Sequence, residues 1–125
     1  METVGHLQRG ASAEAFALNW LLARNLRCLA RNVRCRYGEI DLVMEDGATV
    51  VFVEVRYRCA GNRLSAAASI DRRKQRKLVM TASWYLARNK ALQSRPARFD
   101  VVAIDGQAVG RSALQWMKDA FRPGA

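Results

Sequence analysis

A chain of 125 residues, half of them apolar, suits one domain built on one core. Its 21 Lys plus Arg against 11 Asp plus Glu leave a formal charge of +10, which favours a polyanionic partner, nucleic acid or an anionic membrane surface. A single histidine, His6, argues against Ser-His-Asp or Cys-His catalysis and against a His-based zinc site. No 18-residue apolar run exists for a transmembrane helix.

METVGHLQRG lacks the apolar core of a signal peptide, and Cys28, Cys35 and Cys59 show no CxxC spacing. Free thiols in a reducing cytoplasm are expected, with no membrane partner. Residues 1–10 and 122–125 are expected to be flexible ends of a single domain. Residues 11–24, ASAEAFALNWLLAR, combine Ala and Leu without Gly or Pro and predict a largely buried helix. Residues 26–35 read as a strand. Residues 39–44 and 49–57, rich in Ile, Val and Phe, are strands joined by the EDGA turn. A Gly/Asn/Ser/Ala loop follows at 60–70. Asp71 is placed to cap a helix over 72–90, in which Leu78, Val79, Ala82, Tyr85 and Leu86 keep helical spacing. A loop at 91–97, a strand at 98–104 and the DGQAVG turn come next. The tail ALQWMKDAF fits a strand by Leu114 and Trp116, and a helix by Leu114, Met117 and Phe121. The order α, three strands, α, strand predicts a mixed sheet with helices on its faces.

The hairpin YGEIDLVMEDGATVVFVEVRYR sets Glu39, Asp41, Glu54 and Arg56 among apolar residues, where carboxylates are costly to bury. With Asp46 and Gly47 as the loop, Val43 faces Val50, Asp41 faces Phe52 and Glu39 faces Glu54. Alternation then gathers Glu39, Asp41, Val43, Val50, Phe52, Glu54 and Arg56 on one face, and Ile40, Leu42, Met44, Val51, Val53, Val55 and Tyr57 on the other. Carboxylates so placed repel and raise one another's pKa, and a divalent cation cancels that cost. The alternative is a solvated polar face on a half-exposed sheet.

GEIDLV, followed by VFVEVRYR and a helix that opens with Lys74, resembles the YraN-like family of uncharacterised small bacterial proteins. That family looks like the PD-(D/E)xK nuclease superfamily, distantly similar to archaeal Holliday junction resolvases. The likeness spans residues 10–104 and includes Glu14, Asn32 in its Arg-Asn pair, Lys74 and Arg98-Phe99-Asp100-Val101. It implies a restriction-endonuclease-like α/β fold, a central mixed sheet flanked by helices with an αβββαβ core. It also implies Mg²⁺ (or Mn²⁺) held by Asp41, Glu54 and the carbonyl of Val55, with Glu14 reaching the site from the first helix. The implied chemistry is hydrolysis of phosphodiesters, in branched DNA among other substrates. Position 56 departs from the pattern: Arg56 stands where the motif has Lys, and an arginine cannot serve as general base. Glu14, Asp41, Glu54, Arg56 and Lys74 are the candidate catalytic residues. Arg58, Arg72, Arg73, Arg76 and Lys77 are candidates for phosphate contact, against the alternative of an ordinary solvated helix face. Trp20, Trp84 and Trp116 read as core or interface. A nucleic-acid-binding module without catalysis and an interaction scaffold, a homodimer included, are the competing expectations.

Overall fold

The computed structural model describes residues 2–58, 70–105 and 113–123, with side chains from Ser12 onward other than those of Arg58, Asp105 and Ala113. Residues 59–69 and 106–112 lie outside it, and with them most of the expected loop and of the DGQAVG turn. Along the chain come α1 (Glu2–Leu22), β1 (Arg27–Cys35), β2 (Gly38–Asp46), β3 (Thr49–Arg58), α2 (Arg72–Ala87), a 3-10 turn (Lys90–Leu92), β4 (Ala97–Asp105) and β5 (Ala113–Phe121). The strands form one mixed sheet in the order β1-β2-β3-β4-β5. It is antiparallel except between β3 and β4, which α2 connects. This α/β order contains the expected αβββαβ core and adds β5 at one edge.

Both faces of the sheet are covered, so the apolar residues of each strand sort into two cores. Ala13, Ala17 and Leu21 of α1 pack on Leu42, Met44, Val51, Val53, Val102 and Ile104. Leu78 and Ala82 of α2 pack on Ile40, Val43, Val50, Phe52, Phe99 and Val101. Each fully buried Val, Leu or Ile contributes roughly 1.5–3 kcal/mol relative to exposure. On the hairpin face expected to be acidic, Val43, Val50, Phe52 and Glu54 are buried and α2 packs across the apolar part, while Glu39 stays exposed.

Asn25, in the left-handed region at φ 71, ends α1, and the amide of Leu26 turns back to the carbonyl of Leu21. Asp71 caps α2 as expected, accepting a hydrogen bond from the Lys74 amide at 2.8 Å. That helix stops at Ala87, short of the expected residue 90. There the Asn89 side chain donates to the Tyr85 carbonyl at 2.7 Å, so a side chain takes the place of the next helical turn. The undecided tail is a strand. Its Trp116 packs edge-on against Trp20 with ring centroids 5.6 Å apart, while Phe121 stacks on Phe99 at 4.8 Å, so tertiary contacts settle an ambiguous pattern.

Candidate active site

The β2–β3 turn is Gly47-Ala48, not Asp46-Gly47: Asp46 pairs with Thr49, and Gly47 takes φ 59. The loop is still even, so the expected parity holds for Leu42, Val43 and Met44 against β3. The register is nevertheless displaced from the expected one. Continued past Leu42–Val53, it sets Asp41 level with Glu54, and Glu39 does not face Glu54. The exposed Glu39 instead pairs with Arg34 of β1 at 3.1 Å.

The ladder between β2 and β3 stops at Leu42–Val53. The amide of Val50 bonds the Pro96 carbonyl on the β4 side, so by alternation the amides of Val51, Val53 and Val55 face β2. Beyond the end of the ladder, Asp41 Oδ2 accepts the Val55 amide at 2.8 Å, a side chain replacing the missing backbone partner. Alternation in β2 also breaks here. Leu42 packs on the α1 side and Val43 on the α2 side, yet Ile40 joins Val43 rather than Leu42. The expected apolar set of Ile40, Leu42 and Met44 is thus split across the sheet.

Glu54 is buried, and two cations reach the same oxygen. Lys74 Nζ from α2 and Arg56 Nε from β3 each stand 3.5 Å from Glu54 Oε2. Burial, followed by the charge of Asp41, pushes the Glu54 carboxyl up to about 7 against the pull of Lys74 and Arg56. Asp41 is raised in turn, chiefly by burial and further by Glu39, while the Val55 amide, Lys74 and a hydrogen bond with Glu54 oppose the shift. Glu14, half-buried on α1, is raised by burial and then by Asp41, with Arg31 and Arg34 acting the other way. Lys74, the only helix-start cation bonded to the acid pair among the described residues, is half-buried; Arg72, Arg73, Arg76 and Lys77 are exposed. Arg72 and Arg76 line a groove of about 420 Å³ with Gln75, Val79, Met80 and Phe121, bordered by none of the acid pair. The Arg58 side chain lies outside the described residues.

A divalent cation fits this donor set in one respect. Glu54 is buried and Asp41 half-buried beside it, the charge of Asp41 raises Glu54, and Mg²⁺ is commonly held by one or two carboxylates with waters completing its shell. Asp41 and Glu54 would hold it. Val55 already meets Asp41 through its amide. Among the described residues, no three Asp, Glu, His or Cys side chains come close enough to form a metal-binding group, so Glu14 does not complete a triad with them.

Sequence reasoning passed over Asn32 as a site element. It is a non-glycine residue in the left-handed region, at φ 50 in the middle of β1. The Arg-Asn pair in a strand-like run was its visible signal.

The fold is a mixed five-stranded α/β sheet between two helices, consistent with a restriction-endonuclease-like core, and buried Glu54 and half-buried Asp41 sit together where the β2–β3 ladder ends. The model of "Uncharacterised protein family UPF0102" matches residues 13–104. A UPF0102 protein of Pseudomonas entomophila is 50% identical over 112 residues, covering 90% of this chain and 91% of its own length. One from Nitrosococcus oceani is 45% identical over 122 residues, 98% of each chain. The chain belongs to the UPF0102 family, the YraN-like proteins.

Proposed function

We propose that this protein is a divalent-metal-dependent phosphodiesterase acting on DNA, with Asp41 and Glu54 as its metal-holding carboxylates. The observation that carries it is buried Glu54 set against half-buried Asp41, with Lys74 and Arg56 both at 3.5 Å from one oxygen of Glu54. Bound there, Mg²⁺ or Mn²⁺ supplies Lewis acidity to a phosphoryl oxygen and lowers the pKa of a water.

The chain's own groups divide the remaining work. Arg56 stays protonated and presents a fork suited to a phosphate. Lys74 can both donate to developing negative charge and give up a proton, the role Arg56 cannot take. The Val55 amide orients Asp41. The net charge of +10 draws in a polyanion.

The test is cleavage of a panel of branched, single-stranded and duplex DNA with Mg²⁺ or Mn²⁺. Asp41→Ala and Glu54→Ala are expected to abolish cutting, and Lys74→Ala to slow it by about 100-fold or more. Arg56→Lys is expected to retain activity. Cutting that survives both carboxylate substitutions sinks the mechanism.

A second reading, a nucleic-acid-binding module without turnover, is favoured by the absence of a three-ligand metal group among the described residues. It predicts DNA binding whose log affinity falls with log salt, and no product with either cation.

A further inference from the structure

Register and backbone in β1 mirror the break in β2. Arg31 pairs with Leu42 and Val33 with Ile40, which sets Asn32 opposite Asp41. Ala30 and Val33 both pack on the α2-side core, as their partners Val43 and Ile40 do. In a regular strand, residues three apart point to opposite faces. β1 has a register shift of its own between Cys28 and Ala30, where Leu29 also packs on the α2-side core, but from Ala30 to Val33 its register with β2 is constant, so both strands slip by one side chain at the level of Asn32, at φ 50.

L-residues other than Asn, Asp and Gly rarely take this conformation, and β-branched residues least of all. Asn32 is exposed, so no packing of its side chain explains its backbone. The ladder between β2 and β3 ends at this level, and Asp41 turns its carboxyl to the Val55 amide of β3.

We infer that Asn32 is a positioning residue: its left-handed backbone breaks the alternation of β1 and β2 together and so turns Asp41 toward Val55 and Glu54. It acts on Asp41 through backbone geometry and touches no reacting atom. Only its consequence for metal binding rests on the function proposed above.

Amide hydrogen exchange of the full-length protein tests it, with Val55 as the reporter and Val51 and Val53 as controls in the same strand. Asn32→Gly and Asn32→Asp are expected to leave Val55 as protected as in the wild type, because both residues accept positive φ. Asn32→Val is expected to speed Val55 exchange by about tenfold or more with the controls unchanged, as the Asp41 bond is lost. Should the Val variant fail to fold, Asn32→Ala carries the same expectation. Val55 protection that is equal in the Gly variant and the Val (or Ala) variant overturns the assignment.

Calorimetric Mn²⁺ titration of the same proteins forms a separate arm. Uptake by wild type and Asn32→Gly but not by Asn32→Val supports both the positioning role and the metal site. No uptake by any of them, with the exchange pattern as expected, removes the metal and leaves Asn32 in its role.

Discussion

The sheet buries acids in two places, and they are solved in opposite ways. Asp100 on β4 is fully enclosed, and its oxygens accept the Arg98 guanidinium at 3.0 Å, the Trp116 indole at 2.9 Å and the Asp119 amide at 2.9 Å. Arg98 continues to Asp46 at 2.8 Å, so the cluster ties β2, β4 and β5 together with its acceptors filled. Asp41 and Glu54 are instead pressed against each other, with cations at a looser 3.5 Å and both carboxyls pushed upward. A buried carboxylate is thus no sign of a site in itself. Incomplete compensation is what separates the Asp41–Glu54 pair from Asp100, and it is the feature expected of a working acid.

The sharpest way to break this contrast is to remove each acid in turn. Asp100→Ala strands the Trp116 indole N–H and the Asp119 amide and leaves Arg98 with Asp46 alone, and is expected to cost about 3–5 kcal/mol in denaturant unfolding. If Asp100→Ala proves near neutral, the contrast fails.

The pH dependence comes next. Between about pH 4.5 and about 7 the folded chain keeps a proton on Glu54 that the unfolded chain has released. Stability of the metal-free protein therefore falls as pH rises across that window, by up to about 3 kcal/mol. The contribution is fully present below the lower limit and gone above the upper one, and the raised Asp41 acts in the same direction. Glu54→Gln is expected to flatten this part of the stability-against-pH curve. Mn²⁺ affinity, measured calorimetrically, is expected to rise across the same window because the cation must displace the proton.

A smaller effect belongs to the cap that opens α2 beside the site. Asp71→Ala is expected to lower stability by about 1 kcal/mol by thermal unfolding. The smallest concerns Glu39. Its pair with Arg34 is exposed on both sides, and Glu39→Gln is expected to change stability by less than about 1 kcal/mol. A larger loss would give Glu39 more than its electrostatic influence on Asp41.

Much of this was legible in the residues themselves. The strand runs of the hairpin, the Asp71 cap, the two-helix mixed sheet and the prominence of Asp41 and Glu54 follow from apolar periodicity and from charges set where charges are costly. The hairpin register was not. Shifting the turn by one residue preserves parity but moves every partner by two, which exchanged Glu39 for Asp41 beside Glu54. Nor did strict alternation foresee Ile40 crossing the sheet, because a single left-handed residue in the neighbouring strand resets the phase. The role of Asp100 was equally hidden. It looks like an edge-strand polar residue until β5 is known to cover β4, bringing Trp116 and Asp119 to it.

Local chemistry thus determined which segments became helices and strands and which acids were conspicuous, since both depend on neighbours within a few residues. Only the tertiary structure decided what those acids meet. Lys74 reaches Glu54 from another element, the Val55 amide is free for Asp41 because two strands part, and the end of β5 closes over Asp100 from far along the chain. These are long-range pairings, set by register and by the packing of α2, and no local pattern encodes them.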